Sequence, residues 1–213
     1  MPAQFPPLYA ILDPALTNSP LDVLARSLAA SGVSLVQLRD KRSSARQILA
    51  TAKSLLGVLR SSGVRLIVND RPDVAALAAA GGVHVGQDDL PVEAARGQCP
   101  QPMWVGVSTH NIEQLRAADL TSADYIAVGP IFPTGTKENP DPVVGVEFVR
   151  RARELTRKPL VAIGGITLDR AAEVYRAGAD SLAVITDLLK APDPAARARE
   201  YLRIAEQLGS KAG

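Results

Sequence analysis

"LYAILDPAL", Leu8 to Leu16, is a run of five apolar residues that passes straight into Asp13-Pro14. The first five lack polar alternation, so they read as a strand covered on both faces. The residues just after them bear on the fold. An open doubly wound sheet has a glycine fingerprint, G-x-G-x-x-G, directly after its first strand. Here that place is taken by Asp13-Pro-Ala-Leu16.

Outward from this stretch the same kind of run returns. Val33–Leu38, Arg65–Val68, Gly82–Val85, Met103–Val107, Tyr125–Val128, Pro159–Ile163 and Ser181–Ile185 are all short and rich in Val, Ile and Leu. Helical patterns lie between them. Pro20 to Ala30 puts Leu21, Leu24, Ala25 and Leu28 on one face. Ser43 to Leu59 carries Ile48, Leu55 and Leu59, with Gly63 beyond as a stop. Asp169 to Ala177 ends at Gly178, and a last helix runs near Pro194 to Leu208. Asp22, Ser43 or Ser44, and Thr167 suit early-helix or capping positions. Counting Leu8–Leu12, eight strand candidates are each followed by a helix candidate. Eight is the number that closes a (β/α)8 barrel. The expected fold class is therefore α/β, a (β/α)8 TIM barrel, as one domain over residues 1–213. The open sheet is the structural alternative.

Bulk properties narrow the function. Apolar residues make up 46% of the chain, enough for a full core. The net charge is +2 and the pI near 8.8, too mild for nucleic acid but no obstacle to a small anionic substrate. Cys99 is the single cysteine, which excludes a disulfide framework and a thiolate metal cluster. No apolar run approaches membrane-spanning length, and Met1 to Pro7 lacks the form of a signal peptide. A cytoplasmic protein is expected. A homo-oligomer is neither required nor excluded.

In such barrels chemistry sits at the C-terminal ends of the strands. Gln37, Arg39 and Lys41 share a parity after the second strand, which would aim all three into the mouth. Arg offers a planar fork and Lys a point charge, and both suit phosphate oxygens. Surface charge with a local partner, such as Asp40, is the bland alternative. Asp70 and Asp89, with Asp88 beside it, end the third and fourth strands. Converging carboxylates repel unless a cation separates them, and Mg2+ takes one or two carboxylates plus water and substrate phosphate. Each could instead cap the helix just beyond it. Gly164-Gly165 after the seventh strand and Thr186 after the eighth stand at the recurrent phosphate site of these barrels. His84 reads as a packed core residue. His110, beyond Ser108, reads as either a general base or a solvated loop residue.

The loop Gly129 to Pro142, "GPIFPTGTKENPDP", is long for a strand-to-helix connection. Its prolines would limit the entropy lost on closing. Thr134, Thr136 and Lys137 could grip phosphate. The inventory thus suggests two anion sites. A cationic, metal-bearing one at strands two to four fits a diphosphate, and one of backbone N–H groups at strands seven and eight fits a monophosphate.

"QLRDK", "NDRPDVA", "GVHVGQDDLP", "VGVSTH", "VGPIFPTGTK", "AIGGIT" and "AGADSLAVIT" stand in the order and spacing of thiamine-phosphate synthases. The chain resembles that family from about Leu8 through its last helix. "GPIFPTGTK" is the most specific of these motifs; "AIGGIT" is shared by many phosphate-binding barrels. The resemblance implies condensation of an aminopyrimidine methyl diphosphate with a thiazole phosphate, or its carboxylated form, releasing pyrophosphate. It implies a dissociative mechanism in which the diphosphate leaves before the thiazole nitrogen attacks. It assigns the pyrimidine diphosphate to Gln37, Leu38, Arg39, Asp40, Lys41, Asn69, Ser108 and Lys137, with Arg39, Lys41, Ser108 and Lys137 closest to catalysis. Mg2+ falls to Asp70 and Asp89, and the thiazole phosphate to Thr134, Gly135, Thr136, Gly165, Ile185 and Thr186. Three positions depart from the common pattern: Leu12 stands for Thr, Asp40 for Glu and Thr186 for Ser. Thiazole tautomerases share the layout but typically lack the full "GQ-x-D" and "PT-x-TK" pattern. A non-catalytic sensor of phosphorylated ligands is the reading from another class.

Overall fold

The computed structural model describes residues 5–135 and 141–209. Among these residues, eight parallel strands close into a barrel in chain order. The elements run β1 (Leu8–Leu12), α1 (Leu21–Ala30), β2 (Leu35–Leu38), α2 (Ala45–Leu59), β3 (Arg65–Asn69) and α3 (Pro72–Ala78). They continue with β4 (Gly82–Val85), α4 (Val92–Gln98), β5 (Trp104–Thr109), α5 (Ile112–Asp119), β6 (Tyr125–Val128) and α6 (Gly145–Leu155). The chain finishes with β7 (Leu160–Ile163), α7 (Leu168–Arg176), β8 (Ser181–Val184), α8 (Thr186–Leu189) and α9 (Pro194–Gly209). Closure is made by β8 on β1, with Leu8 opposite Leu182 and Ala10 opposite Val184. The open-sheet alternative falls.

Local chemistry explains where the elements stop. Val33 is not part of β2 because it still belongs to the end of α1. Gly32 turns left-handed at φ 99°, and the Val33 N–H closes on the Leu28 carbonyl at 3.2 Å. The α2 N-terminus is fixed by Ser44 and Gln47, which cap each other's backbone N–H. β5 runs two residues past Val107, because Thr109 pairs with Val128 and donates its hydroxyl to the Ala127 carbonyl. β8 ends at Val184, and Ile185 turns the chain into α8.

Two apolar layers result. Residues such as Ala10, Leu12, Val36 and Leu38 face outward and pack under the helices. Their neighbours Tyr9, Ile11, Leu35, Ile67, Tyr125, Ala127, Val161 and Ala183 fill the barrel interior. Phe5 stacks on Trp104 at 5.2 Å, and Arg65 lies over the same indole at 3.9 Å, so aromatic and cationic groups close the N-terminal end. Above this plug the Tyr125 ring crosses the barrel. It meets Tyr9 edge-on at 5.9 Å and leaves no room for a side chain at Gly106. A Cβ there would stand 2.0 Å from the tyrosine ring. One ring held over one glycine thus fills the barrel interior beneath the open end. Among the described residues, no helix is long and apolar enough to cross a membrane.

Gly106→Ala is expected to destabilise the protein by about 1–3 kcal/mol through overpacking. Urea unfolding measures it, and an unchanged midpoint would show that Tyr125 can move aside freely.

Candidate functional site

A cavity of about 780 Å³ opens at the C-terminal ends of the strands. Its floor is the upper part of the interior layer, from Tyr9 and Ile11 to Ala127, Val161 and Ala183. One wall carries Gln37, Arg39, Asn69, His84, Ser108 and His110, from β2 to β5 and the loops beyond them. The opposite wall carries Gly164 to Thr167 and Ile185 to Asp187. Of the residues expected from sequence, Gln37, Arg39, Asn69, Ser108, Thr134, Gly135, Gly165, Ile185 and Thr186 line this space. Thr136 and Lys137 lie outside the described residues.

The parity expected for Gln37, Arg39 and Lys41 holds only in part. β2 ends at Leu38, so its alternation places Gln37 and carries over to Arg39 but not to Lys41. The Leu38 side chain is buried under the helices, leaving only its backbone on the cavity side. Arg39 is anchored twice: its N–H donates to the Leu12 carbonyl at 2.9 Å, and its guanidinium pairs with Asp13. Asp13 in turn accepts from the Ala15 N–H and caps the turn Pro14–Leu16. The partner of Arg39 is thus Asp13 and not Asp40. Asp40 spends its carboxylate on the Arg42 and Ser43 N–H groups, each at 3.0 Å, and does not line the cavity. Lys41 is half-exposed and reaches Asp70.

Asp70 and Asp89 lie against each other just outside the residues that line the cavity, and neither is a cap. Arg71 holds the N-cap position of α3, and Pro91 that of α4. Asp70 sits at φ 61°, a left-handed conformation that Asp tolerates better than most residues. Its N–H donates to the His84 carbonyl at 2.7 Å, which ties the loop after β3 to β4. Asp89 Oδ2 accepts from the Gly86 N–H at 2.7 Å and folds the loop after β4 back toward Asp70. Burial pushes the Asp70 carboxyl above its ordinary range, Lys41 pulls it down, and Asp89 pushes it up again. Among the described residues, no group of three or more His, Cys, Asp or Glu gathers as a metal nest.

Between the two walls a buried chain of polar groups runs under the cavity. Gln37 Nε2 donates to the Tyr9 hydroxyl at 2.7 Å. The Tyr9 and Tyr125 hydroxyls are 3.0 Å apart, Tyr125 is 3.0 Å from His84 Nδ1, and His84 Nε2 is 2.8 Å from Ser108 Oγ. His84 is the buried, hydrogen-bonded residue expected, and it also faces the cavity. His110 is not a solvated loop residue. Its Nδ1 lies 2.5 Å from the Gly129 carbonyl and its Nε2 3.4 Å from the Asp141 carboxylate.

The far wall is built by close backbone approach. Gly164 (φ 99°) and Gly165 (φ 63°) lie under the loop that leaves β6. A Cβ on either would come within 2.5 Å of Pro130 or Pro133. Ile131 and Phe132 donate their N–H groups to the Ile163 and Gly164 carbonyls, so this loop begins stitched to the end of β7. Sequence reasoning missed three cations here: Arg170, Lys190 and Arg197 line the cavity. Arg170 lies over the Phe132 ring at 4.5 Å, and Arg197 is 3.5 Å from Asp187. Arg170 had a signal in the sequence, its place in the first turn after "AIGGIT". Lys190 and Arg197 carried none.

The family model described as "Thiamine monophosphate synthase" matches residues 8–188. A thiamine-phosphate synthase of Koribacter versatilis is 52% identical over 206 residues, covering 94% of this chain and 96% of the relative. One from Methanospirillum hungatei is 42% identical over 195 residues, covering 91% and 95%. The solved thiamine phosphate pyrophosphorylase from Pyrococcus furiosus superposes with a TM-score of 0.86 at 33% identity, covering 95% of this chain and 96% of that one.

In the metal-free protein the folded pKa of Asp70 is raised, so its contribution to stability is fully present at acid pH and lost as pH rises through that pKa. Asp70→Asn removes the charge and keeps the left-handed backbone. It is expected to raise the metal-free melting temperature near neutral pH by about 1–3 °C, with the gain fading toward about pH 4. Calorimetry at two pH values measures this. A lower melting temperature for the variant near neutral pH would mean that the Lys41 pair outweighs the cost of burial.

Proposed function

The chain belongs to the thiamine-phosphate synthase family, and on that premise we propose how its residues divide the reaction. It is a transferase that condenses a pyrimidine and a thiazole moiety into thiamine phosphate and releases diphosphate. The observation that carries the assignment of residues is one cavity with two unlike walls, a polar one of Gln37, Arg39, Asn69 and Ser108 with the Asp70–Asp89 pair and Lys41 just outside its lining, and a glycine-built, cation-rimmed one opposite.

The pyrimidine diphosphate binds at the first end. Gln37 and Asn69 meet the ring. Ser108 and Arg39 lie at its diphosphate, with the Leu38 and Asp40 backbone and Lys41 behind them and Lys137 contributed by the loop after β6. The thiazole phosphate binds at the second end, on Gly165, Ile185 and Thr186 with Thr134 and Gly135, and Thr136 follows these in the sequence. Arg170, Lys190 and Arg197 add charge there. They bear equally on a thiazole that carries a ring carboxylate.

Asp70 and Asp89 would hold Mg2+. The donor set fits: two hard oxygen ligands converge, and the environment of Asp70 disfavours its charge in the absence of a counter-ion. Mg2+ there supplies charge neutralisation for the departing diphosphate.

The remaining work belongs to the chain. The methylene C–O bond breaks and its electron pair leaves on the diphosphate. Arg39, Lys41 and Lys137 take up that charge as it develops. The thiazole nitrogen then forms the new C–N bond with its own lone pair. No protein nucleophile is required, and Cys99 is buried with its thiol on the Pro72 carbonyl. Holding the two rings face to face is the larger part of catalysis.

The test is pyrophosphate release with the pyrimidine diphosphate, thiazole phosphate and Mg2+, each omitted in turn. Release that needs all three, with thiamine phosphate as co-product, is expected. Isomerisation of a thiazole carboxylate phosphate without diphosphate chemistry would overturn it. Lys137→Ala and Asp70→Asn should each lower kcat by roughly 10²–10³-fold. Neither should lower the melting temperature. A parallel loss of folding in Lys137→Ala would assign that lysine a structural role.

A further inference from the structure

We propose that Tyr9, Tyr125 and His84 form a proton-ordered chain that makes Gln37 an acceptor and Ser108 a donor toward the ligand, the two reversing only together. The pyrimidine as the ligand rests on the function proposed above. The order of the chain does not.

Each group in the chain touches the next at 2.7–3.0 Å, and the first four are almost wholly buried. Each tyrosine hydroxyl has one proton to donate. Burial pushes both phenols well above their ordinary range, so both keep it. With a Gln37 N–H donated to Tyr9, the Tyr9 proton goes to Tyr125, and the Tyr125 proton goes to His84 Nδ1. The His84 proton must then sit on Nε2 and is donated to Ser108 Oγ. The Ser108 O–H is left to point into the cavity. At the other end, Oε1 is the acceptor of the Gln37 amide left for a ligand, beside the second Nε2 proton.

The reverse order also satisfies every group, but it turns Gln37 over and spends the Ser108 proton on His84. Mixed orders fail. If Gln37 and His84 both donate inward, one buried tyrosine proton has no acceptor. If both accept, two phenol oxygens face each other at 3.0 Å with no proton between them. The two ends, on β2 and β5, are therefore coupled through the barrel core.

An aminopyrimidine chooses between the two orders. Its exocyclic N–H needs an acceptor, which Gln37 Oε1 supplies, and its diphosphate oxygens need a donor, which Ser108 supplies. A hydroxypyrimidine analogue presents an oxygen to Gln37. Turning Gln37 to meet it would cost the Ser108 donor as well. Tyr9, Tyr125 and His84 are in this sense positioning residues for specificity.

The test begins without substrate. The chain has two histidines, so 15N-histidine NMR of the whole protein, with His110→Gln for assignment, resolves His84. The expected result near neutral pH is a proton on Nε2 and a bare Nδ1. A proton on Nδ1, or on both nitrogens, overturns the proposal. Tyr125→Phe and Tyr9→Phe then cut the chain at different links. Each should lower kcat/KM for the pyrimidine diphosphate about tenfold. Each should narrow discrimination against the hydroxypyrimidine and leave KM for the thiazole phosphate unchanged. Folded variants with wild-type discrimination overturn it, whatever the NMR shows. A protein that makes no thiamine phosphate but holds the Nε2 proton would sink the proposed function and leave the chain standing.

Discussion

The barrel interior has to be filled, and the Tyr125 ring over Gly106 fills it where the active end begins. Eight short strands enclose a space that side chains must occupy completely, since a void there loses contacts on every side. A leucine would serve that purpose. A tyrosine also brings a hydroxyl to the centre of the barrel, where it must find a partner. Tyr9 and His84 supply that partner from β1 and β4. The requirement to satisfy one buried phenol thus reaches the cavity surface on both sides, at Gln37 and Ser108. Below it the packing is purely structural, with Phe5 on Trp104 and Arg65 over the indole.

Above that floor the charges are divided by loop chemistry and not by strand register. Arg39 is set by Asp13, which is itself the cap of the first turn, so the loop after β1 serves the site through a residue on the loop after β2. Asp70 is set by a left-handed backbone and a bond to His84, and Asp89 by its own Gly86 N–H. These are places where the protein accepts a cost. A raised Asp70 pKa and a positive φ outside glycine both work against folding, and the first is a cost that an external cation would relieve. The far wall makes the opposite choice. It uses glycines at φ values open to them, and lets the loop after β6 lie directly on the backbone.

Much of this is legible in the sequence, and the rest is hidden for a common cause. β1, β4 and β6 have the bounds their sequence suggests, because turn residues mark them closely. β2 reads two residues too early because Gly32-Val33 finishes a helix while looking like the start of a strand. The carboxylate pair is visible as two acids at successive strand ends. The Arg39 partner is not, because Asp13 lies 26 residues away and meets it only once β1 and β2 are side by side. Lys190 and Arg197 look in sequence like ordinary solvated helix charge. Only the return of α8 and α9 over the strand ends brings them to the cavity. Local pattern shows which residues end strands, and it cannot show which loops fold over one another.

A site so rich in titratable groups still needs none of them as a base. Ionising a carbon–oxygen bond calls for charge uptake at the leaving group and for a second reactant already in line. On the division of the site proposed above, arginine and lysine at one end and the glycine-built wall at the other provide both. A histidine with a free ring nitrogen would add only a competing proton acceptor beside a reactive cation. In this barrel both histidines have their ring nitrogens engaged, His84 by Tyr125 and Ser108, His110 by Gly129 and Asp141. Their proton-exchanging capacity is spent on holding neighbours in place, which is the use that dissociative chemistry leaves open to them.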